Sequence, residues 1–334
     1  MKIIEIKEKL FKGYDLTVVE SSFIFNLIMN GELSEIDTTS ILIALKIKGE
    51  NIDEIYGASK IMREKSSKIS APANTIDTCG TGGDMSGTLN ISTSAALISA
   101  SAGAIVAKHG NRSISSNSGS ADMLEELGIK LSNNKEILEK SLIDNNFCFL
   151  FAQYHHNAMK HVINVRKNLA TRTIFNLIGP LTNPASAKNQ LIGVYDKKLV
   201  RKHCEVLKKL GSSNAMIVHG ADGLDEISLC APTYISELKE GKINEYIFNP
   251  KDYGYEFINK EDIIGKEPKY NAQKFLDLLS APKNSFQKII EINSGAALYI
   301  AGIVNNLKEG FELASKTINS KKSKNYFEKL LGSQ

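Results

Sequence analysis

The sequence contains no tryptophan, only four cysteines and seven prolines, and no apolar run approaching 18 residues. The last absence argues against a membrane-spanning helix. Cys79, Cys148, Cys204 and Cys230 stand far apart and form no C-x-x-C pair. That argues against a disulfide frame or a zinc site and points to reduced, mostly buried thiols in a cytoplasmic protein. Neither G-x-x-x-x-G-K-[ST] nor G-x-G-x-x-G occurs, so a P-loop and a dinucleotide fingerprint are both unsupported. Excess charge is also scarce. With 41 basic and 37 acidic residues the net charge is +4, which suits a small polyanion but is too weak and dispersed to indicate nucleic acid. Repeats and low-complexity tracts are absent. The opening M-K-I-I-E-I-K-E-K-L-F carries acids inside an apolar pattern and reads as an amphipathic helix, not a signal peptide.

What is present is concentrated between Asp77 and Gly128. Here D-T-C-G-T-G-G-D (77–84), N-I-S-T (90–93), K-H-G-N-R (108–112) and S-S-N-S-G-S-A-D (115–122) are separated by short apolar segments. Thr75–Cys79 is β-prone and ends abruptly at Gly80-Thr81-Gly82-Gly83, a strand followed by a tight loop. Glycines let backbone N–H groups approach an anion with no Cβ in the way. A helix follows, with Asn90 or Ser92 as N-cap and Gly103 as its stop, and its N-terminus adds further donors. Ala104–Ala107 is the next strand, with Lys108, His109 and Arg112 expected in the loop after it. Two successive strand–loop–helix units therefore place anion-binding groups on one edge of a sheet. Any one of these pieces alone would be an ordinary turn or a solvated charge; their order and close spacing make the case.

The rest of the chain frames this stretch. Residues 1–68 hold four short amphipathic helices with tight turns, including the capping box Thr17-x-x-Glu20 and a start at Asn51-x-x-Glu54. Ser66–Asn74 is a polar linker containing a proline. Phe147–Phe151 is a continuous apolar run suited to a strand buried on both faces. His155–Ala170 has helical periodicity, and its His156 and His161 lie at a spacing that does not place them on one face for a metal. Strand–helix alternation resumes at Gln190, and Asn214–His219 is a strand followed by a loop carrying Asp225 and Glu226. Paired carboxylates there are a natural Mg²⁺ position, although taken alone an acidic turn is the more ordinary reading. Lys239–Phe248 reads as a hairpin, and residues 271–332 as helices, including the small-residue run N-S-G-A-A-L-Y-I-A-G at 293–302. The fold class is α/β, a small N-terminal helical domain plus a larger α/β domain with a mainly parallel central sheet.

These motifs, with R-T-I-F-N-L-I-G-P-L-T-N-P at 172–184 and D-E at 225–226, resemble the anthranilate phosphoribosyltransferase family, in the family's order from 77 to 302. The resemblance implies transfer of the 5-phosphoribosyl group from 5-phosphoribosyl 1-diphosphate to the amine of anthranilate, with release of pyrophosphate, in tryptophan biosynthesis. The absence of tryptophan is in keeping with that pathway. The resemblance also implies a nucleoside phosphorylase/phosphoribosyltransferase type of fold and a homodimer. It divides the chain into a helical domain at 1–68, joined by helices from about 155–185, and a phosphoribosyl diphosphate-binding domain at 75–334. A glutamine amidotransferase or anthranilate synthase subunit stays open as a further partner.

Carried over by motif, Gly80, Gly83, Asp84, Thr88, Asn90, Ile91, Ser92 and Thr93 belong to the diphosphate site, which Ser120 completes. Lys108, His109, Gly110, Asn111, Arg112, Ser115 and Ser116 lie between the two substrates, with Lys108 and His109 in an electrostatic role. Asn111, His156 and Arg166 are implied on the anthranilate side, and Ser92, Asp225 and Glu226 as Mg²⁺ ligands. Three positions depart from the family's pattern. Asn157 stands where proline is common, Asn117 where lysine is frequent, and Met85 where glycine often follows G-T-G-G-D. Two rivals share the architecture, a pyrimidine nucleoside phosphorylase and a non-catalytic nucleic-acid-binding relative. K-H-G-N-R and G-P-L-T-N-P weigh against the first, the intact glycine loop and modest charge against the second.

Overall fold

In a computed structural model, which describes residues 2–113, 117–280 and 284–333, local chemistry sets the first helices. These are α1 (Ile3–Phe11), α2 (Val18–Asn30), α3 (Glu35–Lys48) and α4 (Ile52–Glu64). The Thr17 hydroxyl accepts from the Glu20 N–H at 3.3 Å, while the Glu20 carboxylate accepts from the Thr17 N–H at 2.8 Å. Asn51 and Glu54 repeat the exchange at 2.8 and 2.9 Å. Ile41, Leu42 and Leu45 on the inner face of α3 share one apolar cluster with Ile24, Phe25 and Ile28 of α2 and Ile55 of α4.

The chain then alternates strands and helices. β1 (Ile76–Gly80), α5 (Ile91–Ala102), β2 (Val106–Gly110), α6 (Ser120–Glu126), α7 (Lys135–Asn145) and β3 (Phe147–Phe151) come first. Short helices follow, α8 (Ala152–His155), α9 (Ile163–Leu169) and α10 (Ile174–Ile178). Next are β4 (Asn189–Gly193), α11 (Lys198–Lys209), β5 (Asn214–Gly220), β6 (Thr233–Lys239) and β7 (Lys242–Phe248). Four helices close the chain, α12 (Pro268–Ser280), α13 (Ser285–Ile300), α14 (Leu307–Asn319) and α15 (Lys322–Gly332).

The seven strands form one sheet in the order β3-β2-β1-β4-β5-β6-β7. β1 to β5 pair in parallel, and β6 and β7 add an antiparallel edge. Strand alternation divides the core between the two faces. Leu191, Met216 and Val218 join the cluster formed with α5, α6 and α12 to α15, while Ile192, Ala215 and Ile217 join the cluster of α11 and the first helices. That second cluster also takes Val165, Ile174, Phe175 and Leu181, so the 155–181 segment packs with the N-terminal helices. All five residues of β3 are buried, as its unbroken apolar run requires. α13 and α14 approach so closely that a Cβ on Gly310 would meet the Gly295 carbonyl oxygen at 2.3 Å. Among the described residues no helix is long and apolar enough to cross a membrane.

Three expectations need correction. β2 does not end at Ala107, because its ladder with β3 continues through Lys108↔Phe149 and His109↔Leu150. Lys108 and His109 are therefore buried strand residues, not loop residues. His155–Ala170 is not one helix. It breaks at His156 (φ −114°, ψ 59°), passes through a 3₁₀ turn at Asn157–His161 and resumes as α9. The break lets the His156 ring face the His109 ring across to β2, a contact that periodicity along one segment cannot register. Finally, the hairpin is longer than expected, since its first strand begins at Thr233.

Candidate active site

From β1 the chain moves outward to β2 and β3 on one side, then returns to β4 and β5 on the other. The crevice beyond the carboxyl ends of β1 and β4 is the topological switch point, where parallel sheets of this kind bind ligands. Gly80 and Gly193 face each other at those ends. The loop after β5 crosses directly above them. A Cβ on Gly193 would lie 1.5 Å from the Asp225 carbonyl oxygen, and one on Gly80 would lie 2.9 Å from Asp225 Oδ2. Glycine at both positions is what lets Asp225 enter the crevice.

Each acid of the Asp225-Glu226 pair meets a backbone amide of the glycine-rich stretch. Gly82 N–H donates to Asp225 Oδ2 at 3.0 Å, and Ser92 N–H donates to Glu226 Oε1 at 3.0 Å. Burial and the neighbouring Asp84 charge push the Asp225 carboxyl up to about 7. Burial and Asp225 hold Glu226 well above the usual carboxylate range, partly opposed by Lys108. Asp84 accepts from Ser86 N–H through Oδ1 at 3.1 Å, and its buried Oδ2 has no partner. Among the described residues no three His, Cys, Asp or Glu side chains close into a metal cage. One or two carboxylates beside an anion loop is nevertheless the arrangement Mg²⁺ uses when substrate phosphates supply the remaining oxygens.

The loop between β1 and α5 has the left-handed backbone that turns N–H groups outward. Gly82, Gly83 and Gly87 have φ of +61°, +77° and +61°, and Met85 adopts +58° although it is not glycine. The N–H groups of Gly83, Asp84 and Met85 have no acceptor among the described residues. Thr88 pairs with Ile264 in an isolated bridge that anchors the loop's far end. Asn90 occupies the N-cap position of α5 but makes no capping hydrogen bond. Its side chain instead ties segments together, donating to Ser118 O at 3.2 Å and accepting from Asn271 Nδ2 at 2.8 Å. Glu226 supplies the missing cap through Ser92, while Ile91 and Thr93 are buried in the first turn.

Lys108 lies beneath this terminus. Its ammonium donates to Thr78 O at 2.5 Å and approaches Ser92 Oγ at 3.4 Å, placing one cation next to the carboxylate pair. Burial, then His156 alongside, drives the His109 imidazole well below the ordinary histidine value, which disfavours its cationic form. His109 Nε2 and His156 Nε2 are 3.2 Å apart, and burial holds His156 down to about 4.

Further along, Ser120 Oγ donates to Asn111 O at 3.2 Å and sits so tightly over Gly110 that a Cβ there would be 2.2 Å from it. Asn111 Oδ1 accepts from Gln153 Nε2 at 3.3 Å. Arg112 is engaged with Asp122 at 2.9 Å and with Glu125. Arg166 on α9 is half-buried, lies over Phe175 at 5.7 Å and has no carboxylate partner among the described residues. A partly desolvated guanidinium without an acid is a receptor for a carboxylate ligand. Ser115 and Ser116 lie outside the described residues.

Two residues at the site were not singled out by sequence. Gly193 gave no local signal, because its requirement comes from a loop more than thirty positions later. Arg172 lay inside the R-T-I-F-N segment without an assigned role. Its guanidinium donates to the Gly83 carbonyl and stacks over the Tyr195 ring at 4.1 Å.

Comparison with known proteins adds the following. Residues 72–324 match the glycosyl transferase family a/b domain, and residues 4–66 match the same family's helical bundle domain. Anthranilate phosphoribosyltransferase of Caldanaerobacter subterraneus subsp. tengcongensis is 45% identical over 331 residues, covering 99% of this chain and 98% of that protein. The Methanobrevibacter smithii enzyme of the same name is 45% identical over 329 residues, covering 98% of each. The crystal structure of anthranilate phosphoribosyltransferase from Thermus thermophilus superposes with a TM-score of 0.92 at 35% identity, covering 98% of both chains. The Saccharomyces cerevisiae enzyme in complex with PRPP and Mg superposes at 0.90 with 27% identity, covering 99% of this chain and 97% of that one.

Proposed function

This chain belongs to the anthranilate phosphoribosyltransferase family, and from that premise we infer that it transfers the 5-phosphoribosyl group of 5-phosphoribosyl 1-diphosphate to the amine of anthranilate, releasing pyrophosphate. The observation that carries this reading is the joining of Asp225 and Glu226 to the amides of Gly82 and Ser92, which makes the anion loop and the carboxylate pair one site.

The residues fit Mg²⁺. Two half-buried acids, each opposed in ionising by desolvation and by a neighbouring acid, stand beside the unpartnered Asp84 Oδ2. A divalent cation relieves that repulsion, with Ser92 Oγ as a further oxygen nearby. When bound, Mg²⁺ neutralises charge on the departing diphosphate. The free amides of Gly83, Asp84 and Met85 bind the same anion, and Lys108 donates to Ser92 Oγ from behind, its burial pulling its pKa down and Asp77 opposing that. Departure of the diphosphate leaves oxocarbenium character at the ribose C1 carbon. The anthranilate amine is neutral near pH 7 and attacks without prior deprotonation, and the cationic amine that results then loses one proton to the departing pyrophosphate or a site side chain. Arg166 pairs with the anthranilate carboxylate and orients the amine, so rate comes from positioning and electrostatics, on the order of several kcal/mol each.

The test is loss of anthranilate fluorescence in the presence of phosphoribosyl diphosphate and Mg²⁺, with and without chelator. Loss that needs both the diphosphate and the metal is expected. No loss with folded protein sinks the reaction and turns attention to phosphorolysis of a nucleoside.

We further propose a homodimer through the helical face. On α3, Ile36 and Ile47 are each 81% exposed and eleven residues apart, which places them on one stripe opposite the buried Ile41, Leu42 and Leu45. On the adjoining α1, Ile4 and Phe11 form a second exposed stripe, 58% and 55% open. Paired apolar stripes on neighbouring helices are surface that self-association covers. Ile36→Glu combined with Ile47→Glu should convert a dimer to a folded monomer in light scattering. A native chain that is monomeric at micromolar concentration would defeat this assignment. The four unpaired cysteines support a cytoplasmic location.

A further inference from the structure

Arg172 lies between α9 and α10, in the segment that packs with the N-terminal helices, yet its side chain reaches the anion loop of the α/β part. Its guanidinium donates to the Gly83 carbonyl and stacks over Tyr195 at 4.1 Å. The Tyr195 backbone N–H in turn donates to Thr81 Oγ1 at 3.1 Å, two residues before Gly83. Arg172 and Tyr195 thus hold the loop at two points around Gly82, which itself donates to Asp225.

The peptide plane gives this contact a chemical consequence. In a trans peptide the carbonyl and the following N–H point in opposite directions. Fixing the Gly83 carbonyl on Arg172 therefore fixes the Asp84 N–H away from Arg172, and that amide has no acceptor among the described residues. Gly83 has φ +77°, and a Cβ there would lie 3.1 Å from Arg172 Nε, so the guanidinium is seated against the bare glycine. Without the latch, a glycine-rich loop has many backbone conformations from which to select the anion-binding one.

Resting on the reaction assigned above, we propose that Arg172 is a positioning residue. It latches the Gly83 carbonyl so that the loop amides stay pre-organised for the diphosphate. Arg172 touches neither reacting atom; it acts through Gly83 and Tyr195.

The test uses the full chain and three variants, Arg172→Met, Arg172→Lys and Tyr195→Leu. Calorimetric binding of phosphoribosyl diphosphate with Mg²⁺ is measured first, followed by KM for each substrate and the melting temperature. Arg172→Met should weaken diphosphate binding and raise its KM about tenfold, with the anthranilate KM within about twofold and the melting temperature unchanged. Arg172→Lys should recover part of the loss, since an ammonium reaches the carbonyl but cannot stack as a plane. Tyr195→Leu, which keeps the backbone N–H to Thr81, should show a smaller loss in the same direction. Should Arg172→Met fail to fold, the lysine and leucine variants decide. Unchanged diphosphate binding, or equal effects on both substrates, overturns the latch while leaving the reaction standing. A native chain that binds no phosphoribosyl diphosphate overturns the reaction and the latch together.

Discussion

A chain carrying Asp225→Asn together with Glu226→Gln should lose turnover by on the order of 10³-fold, about 4 kcal/mol in the barrier, and should no longer respond to Mg²⁺. Both replacements keep a carbonyl oxygen, so the acceptors for Gly82 N–H and Ser92 N–H survive. What they remove is charge. In the metal-free protein that charge is unfavourable, since burial holds both carboxyls above their ordinary range, with Asp84 repelling Asp225 and Asp225 repelling Glu226. The variant should therefore be at least as stable as the native chain in chelator, even as activity collapses. Stability and activity moving in opposite directions is the mark of acids retained for binding a cation rather than for folding. Measured side by side, melting in chelator and Mg²⁺-titrated activity separate the two roles. Unchanged Mg²⁺ dependence in the double variant would refute the assignment.

Arg166→Ala should raise the KM for anthranilate by about 10- to 100-fold, corresponding to roughly 1.5–3 kcal/mol for a hydrogen bond to a charged group, while the KM for phosphoribosyl diphosphate stays within about twofold. Half-buried, without a carboxylate partner among the described residues and with Phe175 beside it, Arg166 is partly desolvated before any ligand arrives. An incoming carboxylate supplies the missing counter-charge. Arg166→Lys should recover little, because a point charge cannot reproduce the two parallel bonds of a guanidinium. Steady-state kinetics with each substrate varied in turn checks both statements, and equal rises in both KM values would remove Arg166 from the anthranilate side.

The legible parts of this protein were those whose cause lies within a few residues. Thr17-x-x-Glu20 and Asn51-x-x-Glu54 announce helix starts because the capping partners are three positions apart. F-C-F-L-F announces a strand with both faces covered, and G-T-G-G-D a loop with left-handed backbone. The illegible parts have distant causes. Lys108 and His109 look like loop polar residues until β3 pairs with them, some forty positions later. His156 breaks a helical period where its ring meets His109, and Arg112 is engaged with acids on the helix that follows. Arg172 had no visible role because Gly83 is 89 residues away in sequence.

The sequence by itself determined the fold class, the helix caps, the left-handed glycine loop and the family, because each is written in local spacing or in an ordered set of motifs. Only the tertiary structure decided which groups meet. It set Asp225 over Gly193, placed Lys108 under Ser92, buried His109 against His156 and put Arg172 on Gly83. The physical reason is that these are long-range contacts at the switch point of a parallel sheet, where segments far apart in the chain are brought together only when all the strands are in register.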